Sequence, residues 1–144
     1  RVLMAQAALE AGLAFTNAIL GAAHAMSHQV GGLLDLPHGV INGVLLPHVV
    51  RFNAEADPAP FATIANCLGI TDKRAPELES ALALADRLEE LARQVGVPRG
   101  LAELGVREVD VPLLAQNALQ DACLTTNPRP IDDAQLRALF RAAL

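Results

Sequence analysis

The sequence predicts an all-α fold, a multi-helical bundle, on three observations. Its 144 residues are 52% hydrophobic and only 19% charged, yet hold four Phe and no Trp or Tyr. The core must therefore be aliphatic, and its many Ala and Leu are strong helix formers whose small members let backbones approach closely. Apolar residues recur at helical spacing in the long stretches, and no run alternates as a half-buried strand would. Gly, Pro and Asp punctuate these stretches as helix stops and starts. A chain of this length suits one domain around one core, and its composition excludes intrinsic disorder.

The elements follow in order. Residues 1 to about 20 set Leu3, Ala7, Leu13, Phe15, Ile19 and Leu20 among small residues, with polar groups confined to Gln6, Glu10 and Asn17. That helix is apolar nearly all round, so burial is expected. Gly21 marks a break before "AAHAMSHQV", and Gly31 and Gly32 are expected to loosen or end the second helix. Asp35 as a cap and Pro37 in the first turn open a third helix running to about Phe52. Pro47 either kinks it or sits where neighbours absorb the lost bond. "NAEADPAP" reads as a surface turn, and residues 60 to 68 as a short amphipathic helix closed by Gly69.

"APELESALALADRLEELARQVG" carries the clearest helix: Leu78, Leu82, Leu84, Ala85, Leu88, Leu91 and Val95 form its apolar stripe, and Gly96 ends it. A loop with one helical turn follows. A helix from about Val111 to Cys123 leads into the turn "TTNPRP", and a last helix is capped by Asp132 or Asp133.

Several function classes are excluded at this level. A net charge of −5 without a basic stripe argues against nucleic acid, and scattered basic residues make no patch for an anionic membrane. No stretch reaches the roughly 18 uninterrupted apolar residues of a membrane span. The N-terminal stretch resembles a signal peptide superficially, but Glu10, Asn17 and the histidines interrupt it, so a cytoplasmic protein is expected. Cys67 and Cys123 are isolated in apolar helical contexts and are expected to be buried free thiols in a reducing compartment. The chain opens on Arg in mid-helix, which suggests part of a longer protein.

The candidate chemistry lies in "HAMSHQVGGLLDLPHG", residues 24 to 39, which holds three of the four histidines. His24 and His28 lie one helical turn apart on one face. Their spacing suits two ligands on one metal, or one ligand beside a supporting or catalytic imidazole. The plainer alternative is a pair of hydrogen-bonded histidines, kept neutral by burial. His38 follows a rigidifying proline, and Asp35 is the one carboxylate nearby in sequence. Imidazoles without thiolates suit Zn, Fe, Ni or Co, and two or three of them leave a site needing a ligand from elsewhere. HxxxH lacks the Glu of HExxH, so the zinc-protease base is missing. His48, beside Pro47, reads as structural.

"GLAFTNAILGAAHAMSHQVGGLLDLPHGVINGVLLPHVVRFN", residues 12 to 53, closely resembles the second signature region of the iron-containing (group III) alcohol dehydrogenases. "DACLTTNPRPIDDAQLRALFRAAL" resembles that family's C-terminus, so the resemblance spans essentially the whole chain. It implies a two-domain enzyme: an N-terminal dinucleotide-binding α/β domain and a C-terminal dehydroquinate synthase-like helical domain, with the metal between. In the family one Asp and three His hold the metal, usually Fe(II). Two of those histidines match His24 and His38. His28 matches a histidine near the nicotinamide and substrate, which implies contact with the cofactor and a catalytic proton-relay role.

The first two ligands, a D-x3-H pair, have no counterpart here: no Asp is followed by His four residues later. Residues 1–144 are thus expected to be a partial C-terminal helical domain, with the nucleotide-binding domain and first metal-ligand helix outside this sequence. The resemblance implies that the intact protein uses NAD(P) and Fe(II), or Zn, to interconvert a small alcohol and its aldehyde or ketone. This chain alone is expected to be inactive, to bind metal weakly and to expose an apolar face, the intact protein being a homo-oligomer, at least a dimer. The alternatives are a metal-free maleylacetate reductase, a zinc-dependent glycerol dehydrogenase, a non-catalytic helical interaction domain, and a small helical protein binding metal through His24, His28 and His38 alone.

Overall fold

The computed structural model describes residues 1–144, and it contains helices and no strands. In chain order these are α1 (Val2–Ala18), α2 (Ala22–Leu34), α3 (His38–Ala54), α4 (Ala59–Cys67), α5 (Glu77–Gln94), α6 (Val111–Ala118) and α7 (Asp133–Ala142). Short 3-10 turns at Leu101–Leu104, Glu108–Asp110 and Ala122–Thr126 join the later helices. The all-α expectation holds.

α2 packs on α3 at the centre, α5 lies on α3 and α4, and α6 packs on α2 and α7. Met26 and Val30 from α2, Ile41 and Leu45 from α3, and Leu136 and Phe140 from α7 meet in one fully buried cluster. Burying each such side chain contributes about 1.5–3 kcal/mol before chain entropy is counted. Ala22 and Ala25 on α2, and Ala115 and Ala118 on α6, are also fully buried, and their small side chains let these two helices sit close.

The turn "TTNPRP" fixes where α2 and α3 lie relative to each other. Asn127 Oδ1 accepts from the backbone N–H of Ala22 at 3.0 Å and from Asn53 Nδ2 at 3.1 Å. Asn127 Nδ2 donates to Asn53 Oδ1 at 2.9 Å and to the carbonyl of Arg129 at 2.7 Å. Ala22 is the first residue of α2, where an N–H has no acceptor within its own helix. Arg129 donates to the carbonyl of Phe52 at 2.8 Å and lies 4.0 Å from the centre of the Phe52 ring, a cation–π contact. Thr126 also donates to the carbonyl of Leu20. One turn near the end of the chain thus clamps the start of α2 to the end of α3.

Several sequence expectations are corrected. α1, expected to be buried, has no buried residue, and Val2, Leu3 and Met4 are each more than 70% exposed. The chain bends by 105° between α1 and α2, which carries α1 away from the bundle. Hydrophobicity reported the need for cover, but no other element of this chain supplies it; the expected exposed apolar face lies here. No single helix is long and apolar enough to cross a membrane.

α2 runs through Gly31 and Gly32 to Leu34, and Asp35, in the left-handed conformation (φ 51°), closes it instead of capping α3. Pro37 precedes α3 and offers no side-chain cap, while α3 continues past Pro47. The helix foreseen from Val111 to Cys123 stops at Ala118. Asp121 then accepts from its own neighbour's backbone, Cys123 N–H, at 2.9 Å and starts a separate turn.

The buried face of α5 is Ser80, Ala81, Leu84 and Ala85, whereas Leu78, Leu82, Leu91 and Val95 stay exposed. Of the two candidate caps for α7, Asp132 is the cap: it accepts from Gln135 N–H, and the Gln135 side chain accepts from Asp132 N–H in return. Both cysteines are free as expected, but Cys67 is exposed and Cys123 half-buried. Cys67 ends the short helix α4 on its outer side.

Candidate metal centre

α2 carries His24 and His28, and the three residues after it turn the chain so that α3 opens on His38. Because α2 and α3 pack together, the three imidazoles converge. Ring centres lie 5.1 Å apart for His24 and His38, 5.3 Å for His28 and His38, and 6.1 Å for His24 and His28. The structure brings together all three histidines singled out in the sequence. His48 stands apart on α3 in a cleft wall shared with Asp86 and Glu89, where burial and then the Arg51 charge lower its pKa.

The three rings differ in what their nitrogens do. His24 is half-buried and its ring makes no hydrogen bond. Burial lowers its pKa, and the neighbouring His38 and His28 lower it further, so the ring is neutral near neutral pH and one of its nitrogens keeps a lone pair. For His38 the network selects a tautomer. Ser27 Oγ gives its only proton to the His24 carbonyl at 3.1 Å, so it can only accept from His38 Nδ1, at a long 3.4 Å. His38 Nε2 then keeps a lone pair, which accepts from Asn42 Nδ2 at 2.8 Å. His28 Nδ1 faces Asp121 Oδ2 at 2.8 Å and must donate to it.

Two imidazoles on one tetrahedral metal, at roughly 2.1 Å per bond, put their ring centres roughly 5 Å apart. His24 and His38 match that separation with their planes tilted by 52°. His28 is stacked on His38 with only 19° between planes. Lone pairs lie in the ring plane, so stacked rings do not aim at one common point. The donor set therefore fits a metal held by His24 and His38, with His28 beside it.

Sequence reasoning missed the carboxylate of this site. Asp35, the near neighbour in sequence, is exposed and turned into the close of α2. Asp121 arrives from 93 residues away and accepts from His28, from Gln29 Nε2 at 3.3 Å and from Cys123 N–H. Burial acts to raise its pKa, but the hydrogen bonds from Cys123 and His28 prevail and hold it below the usual carboxylate range. Burial, then the Asp121 hydrogen bond and charge, push the Cys123 thiol up. The available signal was the "DAC" that opens the C-terminal motif.

The tightest group of ligand-type atoms is not the imidazole trio but His28, Asp121 and Cys123, all within 4.8 Å of one another. Asp121 accepts from the His28 imidazole and from Cys123 N–H, so hydrogen bonds join this group in the structure.

Comparison with known proteins shows the family. The family model described as "Fe-containing alcohol dehydrogenase family, C-terminal" matches residues 1–144, and the chain belongs to that family. It is 46% identical over 140 residues to 1,3-propanediol dehydrogenase of Klebsiella pneumoniae, covering 97% of this chain and 36% of that protein. It is 41% identical over 144 residues to the NAD-dependent methanol dehydrogenase of Bacillus methanolicus, covering 100% and 38%. Among solved structures, a 1,3-propanediol oxidoreductase superposes with a TM-score of 0.94 at 45% identity, over 98% of this chain and 37% of that one. The chain thus spans little more than a third of the length of these relatives.

Proposed function

We propose that this chain is the C-terminal helical part of a metal-dependent alcohol dehydrogenase that interconverts a small alcohol and its aldehyde or ketone with NAD(P). The observation that carries this reading is the His24–His38 pair. The two rings sit 5.1 Å apart, one free of hydrogen bonds and the other with its Nε2 lone pair directed away from Ser27. Both nitrogens are in the form a metal needs. When bound, Fe(II) or Zn supplies Lewis acidity at the substrate oxygen, and NAD(P) supplies the hydride acceptor.

This chain's residues contribute the rest. His24 and His38 would hold two metal positions, the second through His38 Nε2, which accepts from Asn42 in this structure. His28, with Nδ1–H committed to Asp121, presents a free Nε2 on its 41%-exposed side chain to take the alcohol proton. Two imidazoles leave the site open, so the remaining ligands come from outside residues 1–144. The apolar surface of α1 supports burial against further protein, and we place the whole protein as a cytoplasmic homo-oligomer.

The test is NADH formation at 340 nm by the full-length gene product with 1,3-propanediol or methanol as substrate. Turnover that a chelator abolishes and Fe(II) restores is expected. Turnover indifferent to the chelator would favour the metal-free reductase reading, and none with any short alcohol would favour an interaction domain.

A further inference from the structure

We propose that Asp121 is a positioning residue for proton transfer: it locks His28 in the Nδ1–H tautomer and so reserves Nε2 for the substrate. This rests on the relay role proposed for His28. The two residues are 93 positions apart and belong to different elements, α2 and the 3-10 turn Ala122–Thr126 that Asp121 caps, yet Nδ1 and Oδ2 meet at 2.8 Å. The Asp121 side chain is only 14% exposed, so this bond is little diluted by water.

Every contact of Asp121 fixes its orientation. Oδ1 accepts from Cys123 N–H at 2.9 Å, which sets the carboxylate plane, and Oδ2 accepts from both His28 and Gln29 Nε2. Gln29 in turn donates to the Ala25 carbonyl at 3.2 Å, so its amide nitrogen must face this way. A carboxylate has no proton to give, so the ring nitrogen facing it must carry one. The hydrogen bond on one imidazole nitrogen decides the state of the other, so Nε2 is left with its lone pair.

The same contacts predict what Asp121→Asn does. The fixed backbone N–H of Cys123 retains the oxygen at the Oδ1 position, so the new amide NH2 occupies the Oδ2 position, displaces the longer contact from Gln29 Nε2 and faces His28 Nδ1. It donates where the carboxylate accepted, and neutral His28 switches to Nε2–H. A relay nitrogen that already carries a proton cannot take another from the alcohol. The cap on the 3-10 turn survives, so the fold is kept.

Two measurements on the full-length protein test this. Nitrogen-15 NMR of histidine-labelled, metal-free protein is expected to show neutral His28 protonated on Nδ1 in the wild type and on Nε2 in Asp121→Asn. This readout needs no turnover, so it stands even if the proposed activity fails, and a wild-type Nε2–H tautomer would overturn the proposal. In alcohol oxidation with NAD+, Asp121→Asn is expected to lower kcat about 10- to 100-fold, within the ceiling that imidazole acid–base catalysis contributes. KM and metal content should be unchanged, and the loss should vanish in a His28→Ala background. An equal loss in that background would mean that Asp121 acts on the fold, and kcat retained in Asp121→Asn would overturn the proposal.

Discussion

Asn127→Ala should unfasten the start of α2 while leaving the far side of the bundle intact. The amide joins Ala22, Asn53 and Arg129 through four hydrogen bonds of 2.7–3.1 Å. Removing it strands the Ala22 N–H, which has no acceptor within α2, and both polar atoms of Asn53, a residue only 5% exposed. A buried polar group left without a partner costs about 1–3 kcal/mol, and water entering beside the half-buried turn recovers part of that. We take about 3–4 kcal/mol as the net loss, roughly a hundred- to thousandfold in a local opening equilibrium.

The first-turn amides of His24 and Ala25, both bonded to the Gly21 carbonyl at 3.1 Å, report it. In hydrogen-exchange mass spectrometry of the full-length protein, peptides covering residues 22–28 should lose protection by about that factor. Peptides from α4, which packs mainly on α5, should not change. Unchanged exchange in α2, or an equal loss in α4, would refute the argument that Asn127 fastens this joint in particular.

Further predictions follow from single contacts. Ser27→Ala removes the acceptor that sets the His38 tautomer, and metal affinity measured by chelator competition should fall about tenfold. Gly100→Ala places a Cβ 2.3 Å from the Leu144 carbonyl oxygen, where Leu101 N–H is already bonded to the Ala143 carbonyl at 2.7 Å. Such overpacking costs about 1–3 kcal/mol, and scanning calorimetry should show a Tm several degrees lower. His48 is held below its ordinary pKa of 6.5 by burial and then by Arg51. Between its folded-state value and 6.5 the unfolded chain binds more protons, so stability rises with pH across that window and declines as pH falls through it. His24 acts with the same sign. The Tm should therefore drop on acidification from pH 7 to 5.5, less steeply in His48→Gln.

The features legible in the sequence were those governed by local spacing. The i, i+4 placement of His24 and His28 needed only a helix, and Asp132, one of two candidate caps, announced α7. His38 stood out with them through its place just after a rigidifying proline. What escaped depended on distant partners. Asp121 and His28 meet across 93 residues, and only tertiary packing selects Asp121 over the closer Asp35. The break after Ala118 was hidden because Leu119 to Cys123 continues an apolar pattern, while the Asp121 carboxylate captures its own backbone. For α1, periodicity identified the helix correctly but gave no information on what covers it.

Metal analysis of the full-length protein and three single variants tests the central claim, that His24 and His38 hold a metal beside a non-ligating His28. About one Fe or Zn per subunit is predicted in the wild type and in His28→Ala, with loss of bound metal in His24→Ala and in His38→Ala. Metal retained at wild-type stoichiometry and affinity in either of the last two, or lost in His28→Ala alone, would contradict it.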